Sequence, residues 1–164
     1  MIKSVKNGTL IGMVAGAMMA MVAMIATAAT GDGFWTPVNA IAHTAWDGAP
    51  LDTSFSAGAL ALGVGLHMGV SMMLGIGIAM LVAGRSAASG TTAVLAFGAA
   101  MAAWLVQLAA WPAVDEAAAE AIPQWVLLVG HAVFGMATAV LVRVTAGARK
   151  HHRLDGAPSA IPVG

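Results

Sequence analysis

Four apolar runs, about Gly8 to Thr30, Gly58 to Gly84, Thr92 to Trp111 and Ile122 to Ala146, dominate this chain and leave little room for any architecture but a membrane one. Each is long enough to form a helix that crosses the roughly 30 Å apolar core of a bilayer, which takes about 20 residues. With 60% of the 164 residues apolar and only 9% charged, the chain lacks the charged surface that a water-soluble domain of this size requires. The fold class that follows is all-α integral membrane, a single domain of four transmembrane helices.

Charge placement orients the spans. The seven basic residues (Lys3, Lys6, Arg85, Arg143, Arg149, Lys150, Arg153) fall before the first run, between the second and third, or at and beyond the end of the last. The other two connections carry Asp32, Asp47, Asp52, Asp115, Glu116 and Glu120 and no basic residue. The positive-inside rule then expects an N-in, C-in topology with both acidic loops outside. Trp35, Trp46, Trp111 and Trp125 sit at the expected outer ends, where amphipathic rings favour the headgroup region. The first run is longer than the 7 to 15 residue core of a secretory signal, so it reads as a retained span.

The connections have structure of their own. Thr36 as N-cap and Pro37 at the first helical position, followed by Val38, Ile41, Ala42, Ala45 and Trp46 along one side, predict a short helix lying on the outer membrane surface. The third loop, bracketed by Pro112 and Pro123 and rich in Ala and Glu, predicts a short acidic helix. The segment from Gly84 to Gly90 reads as a tight turn. Residues 147–164 read as a flexible cytoplasmic tail, disordered from His151 onwards, where Gly156, Pro158 and Pro162 occur.

Aligning the second and fourth spans on their histidines pairs His67 with His131, Ser71 with Gly135, Met72 with Met136 and Gly75 with Ala139. Trp35 with Pro37 and Trp111 with Pro112 recur before them. This predicts two tandem two-span repeats related by an axis along the membrane normal. The segment "GVGLHMGVSMMLGIG", the outer "FWTPV" and "PQWVLLVGHAVFG" resemble the YagU-like group of four-span bacterial inner-membrane proteins. That resemblance implies a bacterial inner-membrane location and a Gly-His pair in the last span, here Gly130 and His131, and carries no established activity.

Chemistry-bearing residues are few. His67 and His131 lie roughly 15 and 14 Å along their helices at 1.5 Å per residue, near the bilayer midplane, where polar groups are costly and face the bundle interior. Each sits on a stripe of small residues, Gly63, His67, Ser71, Gly75 and His131, Gly135, Ala139, which lets helices approach closely. Three readings stay open: the imidazoles fix helix packing through hydrogen bonds to Ser71, Thr138 or Gln107; they are the axial ligands of one b-type haem; or they belong to a proton or metal pathway with Gln107. Met68, Met72, Met73, Met101 and Met136 add thioethers that with imidazole would suit Cu(I). On the outer side, His43 and Asp47 have metal-ligand spacing on a helix. Gly65 and Gly69, on another face of the second span, offer a surface for self-association.

Absent cysteine excludes thiolate metal sites and thiol nucleophiles. There is no phosphate-binding glycine loop, no metalloprotease helix and no basic stripe for nucleic acid. The reading is a non-enzymatic structural or accessory unit in the bilayer, self-associating or part of a larger complex. No cofactor is required; haem b is the one the His pair would take.

Overall fold

The computed structural model describes residues 2–85 and 90–155, with side chains described for 5–85 and 90–145. Among them the chain is helical: α1 (Ile2–Thr30), α2 (Thr36–His43), α3 (Ala57–Leu81), α4 (Gly90–Val114), α5 (Glu116–Glu120) and α6 (Gln124–Asp155). Four of these are long and apolar enough to cross a membrane, over Val5–Thr30, Ala57–Leu81, Gly90–Val114 and Gln124–Thr145. The order long, short, long therefore occurs twice, and both short helices lie at the same end of the molecule.

Local chemistry sets the boundaries. Gly31, at φ 89°, ends α1 in the left-handed region, where its lack of a Cβ removes the penalty. Ser56 caps α3 by accepting from the Ala59 amide, and Asp115 caps α5 by accepting from Ala118. The expected Thr36 cap of α2 is displaced by one residue: Trp35 holds the N-cap position without a side-chain bond, while the Thr36 hydroxyl donates back to the Asp32 carbonyl. Pro112 does not stop α4, which continues through it to Val114, because in the last turn its missing N–H frees only one carbonyl. At the far end α6 stays helical through Asp155, which corrects the expectation of disorder from His151; the stretch from Ala148 to Asp155 holds neither Gly nor Pro. The expected turn at 86–89 and the tail beyond Asp155 lie outside the described residues.

The spanning helices stand in the order α3, α1, α6, α4, each packed along the next, while α3 and α4 hardly touch. The row is curved, so those two face each other across a gap. In lipid, apolar burial gives helices little reason to associate, and close packing decides which faces meet. The tightest seam joins α1 to α3, which run antiparallel. A Cβ on Gly12 would stand 2.3 Å from the Ser71 carbonyl oxygen, and one on Gly75 2.4 Å from that of Gly8. On α6, Gly135 abuts Phe97 and Ala100 of α4, and Gly130 abuts Met19 of α1. A dry cluster of Ala15, Ile78, Ala96, Ala100, Phe134 and Ala137 fills the half of the bundle away from α2.

Helix α2 corrects an expectation. It does not lie on the surface with one apolar side in lipid: Thr36 to Ala40 and Ala42 are buried against α3, α1 and α5. Val38 and its carbonyl press on Gly63, one turn from His67. Val38 and Ala42 of the expected stripe are met by protein, which a sequence pattern cannot distinguish from lipid, while Ala45 and Trp46 lie past the end of the helix and are exposed.

Candidate functional site

Beneath α2, a cavity of about 600 Å³ occupies the space between α3 and α4. Pro37, Val38 and Ile41 of α2 roof it. Met19 and Leu74, which also pack on the dry cluster, close it below. Its side opens between Val70 of α3 and Val106 of α4, both lining residues and both 66% exposed, so the opening faces the bilayer laterally.

His67, Gln107 and His131 all line this chamber, which brings together three of the five polar residues expected to cluster. The other two lie elsewhere. Ser71 is buried in the α1 seam, where a Cβ on Gly16 would meet its hydroxyl. Thr138 is fully buried two turns further along α6, its hydroxyl without a partner among the described residues. Of the expected histidine partners, none is used. His67 Nε2 is 3.0 Å from the Gly16 carbonyl oxygen across the seam, and His131 Nδ1 is 2.8 Å from the Leu127 carbonyl oxygen of its own helix. A carbonyl oxygen only accepts, so each of these nitrogens carries the proton. In a neutral ring the other nitrogen, Nδ1 of His67 and Nε2 of His131, is then an acceptor. The chamber lining holds no carboxylate to balance an imidazolium, and a neutral ring is the form that fits. Gln107 has no hydrogen-bond partner among the described residues.

The methionines scatter. Met68 lines the chamber together with Met19 and Met24 of α1, whereas Met73 and Met136 are 73% and 54% exposed and are not among its lining residues. Among the described residues no three of His, Cys, Asp and Glu gather as metal ligands.

The outer pair is also rearranged. His43 does not meet Asp47, because α2 ends at His43 and the chain turns before Asp47, so the four-residue spacing no longer lies on a helix. Its Nδ1 instead lies 2.6 Å from an Asp115 carboxylate oxygen. That hydrogen bond, with help from the Ala118 amide, holds the Asp115 carboxyl below the usual carboxylate range. Next to it the Trp111 indole N–H donates to the Thr44 hydroxyl at 3.1 Å. On the other side of α2, Asn39, 1% exposed, donates to the Ser54 carbonyl at 2.9 Å. The turn that presents this carbonyl is built by Asp52, whose carboxyl is held low by the Ser54 hydroxyl and amide. The chamber roof is thus tied at both edges. Asn39 went unnoticed in the sequence, although an Asn among apolar residues of a short helix is a signal for a buried polar contact.

No protein-family model matches the chain, and no curated protein or solved structure is significantly similar to it. The fold defines a multi-pass helical membrane protein; the function has to be argued from the chamber and the exposed faces.

Proposed function

We propose that this is a self-associating structural or accessory subunit of the bacterial inner membrane, with both termini cytoplasmic and two tandem two-span units, and that it is not an enzyme. The charge asymmetry and the YagU-like segments support the location and orientation. One observation carries the self-association: α3 has a second small-residue stripe that nothing covers. Gly65, Gly69 and Gly77 recur at multiples of four residues on the side away from α1, and a Cβ on any of them would meet no atom within 4 Å. On the α1 side the same residue type is in close contact, with Gly75 against the backbone of Gly8 and Gly12. Energy transfer between labelled copies in lipid bilayers tests it: dimers are expected, with Gly69→Leu lowering the association constant about tenfold. Unchanged association in Gly65→Leu and Gly69→Leu would remove the reading.

The co-location of His67, Gln107 and His131 favours a second reading, a carrier using these groups. For haem, Nε2 of His131 is free to ligate, but Nε2 of His67 would have to leave the Gly16 carbonyl. For a proton or metal permease, the chamber ends on the apolar cluster around Phe134, beyond which the buried polar side chain on α6 is Thr138. Spectra of oxidised and reduced purified protein, with metal analysis, separate the readings. A Soret band lost in His67→Leu would establish the carrier; a colourless, metal-free protein supports the structural unit.

A further inference from the structure

The chamber has the properties of a binding site for a molecule that arrives through the lipid. Its walls are apolar and its side opening faces the bilayer, which suits an apolar tail. Its polar groups are not random in kind. His131 is 5% exposed, and with Nδ1 committed to Leu127 its unpartnered Nε2 is an acceptor. His67, with Nε2 committed to Gly16, likewise retains an acceptor at Nδ1. Only Gln107 adds donors. A buried acceptor without a donor is destabilising, and water reaches a laterally open apolar chamber poorly, so the complementary ligand is one that supplies O–H groups.

The geometry points to a membrane-dissolved, hydroxyl-headed lipid, its tail between Val70 and Val106 and its one O–H donated to the uncommitted nitrogen of His131 or of His67. Against the imidazoles a carbonyl or ether head would place acceptor against acceptor, leaving Gln107 as the one lining group able to donate to it, so such a head binds more weakly. The chemistry is shared by alkyl phenols and by aliphatic long-chain alcohols. It stands independently of self-association, which uses the opposite face of α3.

The test uses the full chain in lipid nanodiscs and radiolabelled 4-decylphenol, with empty nanodiscs subtracted. Saturable binding of one molecule per chain is expected, with 4-decylanisole, the same shape without the O–H, competing at least about tenfold more weakly. Competition by 1-hexadecanol assigns the head alone as the determinant, and its failure assigns the aromatic ring as well; both support the site. Binding is expected to disappear in His131→Leu. Because that change touches a buried position, Val106→Trp provides a second arm: it blocks the opening from the lipid side, and is expected to abolish binding with unfolding unchanged. Anisole competing as well as phenol, absence of saturable binding, or binding that survives both variants would overturn the proposal.

Discussion

The two flanks of α3 differ far more in contact than in composition. Toward α1 it presents Ser71 and Gly75, and there the two backbones approach until no Cβ fits on Gly12 or Gly75. Toward α4 it presents Leu66 and Val70, and the helices stand apart around a chamber. Both flanks are apolar, so hydropathy does not distinguish them. What distinguishes them is side-chain size at four-residue spacing, the quantity that governs helix association where lipid is as apolar as the protein. The contrast also runs across the two halves: α1 packs on α6, whereas the corresponding pair under the proposed repeat, α4 and α3, is parted. One of two related seams is sealed, and the other is the opening.

Breaking the sealed flank is expected to have the largest effect. Gly12→Val or Gly75→Val drives a side chain into backbone, which cannot move aside cheaply, and is expected to lower unfolding free energy by about 3 kcal/mol, the upper end of overpacking costs. Gly65→Val, on the open stripe of the same helix, is expected to change it by less than about 0.5 kcal/mol when measured on the monomer, at dilutions where copies do not associate. Steric-trapping titrations in bilayers measure both, and equal effects would abolish the contrast.

The chamber roof comes next. Asn39→Leu leaves the Ser54 carbonyl without its buried donor and is expected to cost about 1 to 3 kcal/mol. Hydrogen exchange of the α2 amides should rise in step. For His67→Leu the expected loss is smaller, about 1 kcal/mol, in the range of hydrogen bonds between membrane helices. The Gly16 carbonyl is already an acceptor within α1, so it is not orphaned by the change.

The smallest effect belongs to the outer tie. Asp115 has its folded pKa depressed, chiefly by the His43 hydrogen bond, below the ordinary 3.8. Its contribution is therefore present above that value and lost as pH falls through the folded pKa, which places the loss in the acid window below about 4. Both partners are partly exposed, so the expected magnitude is about 1 kcal/mol or less. Stability followed from pH 6 to 2.5 should show an acid limb that is weaker in Asp115→Asn.

Much of the fold was legible in the sequence because bilayer thickness is a strong constraint on the length of an apolar run. All four spans lie where the apolar runs put them, and the short acidic helix and the helix opening at Thr36 and Pro37 were visible as well. The burial of α2 was not legible, because lipid and protein select the same apolar positions. Histidine partners escaped because they are main-chain carbonyls, present at every residue and marked by none. The His43–Asp115 pair joins residues 72 positions apart, beyond any local pattern. Gly8, Gly12 and Gly16 recur at four-residue spacing in the sequence, the small-residue signal of a close helix seam. The spacing on α3 identified a close seam without saying which helix would fill it.

A gap between α3 and α4 connects the bilayer to His131 and stops short of Phe134, one turn away on the same helix. Footprinting in bilayers with a small apolar diazirine, photoactivated and read by mass spectrometry, tests it directly. Labelling is expected at Val70, Val106 and His131, with Phe134 and Ala100 unlabelled. His131 as unreactive as Phe134, with Val70 and Val106 labelled, would show the gap closed and contradict it.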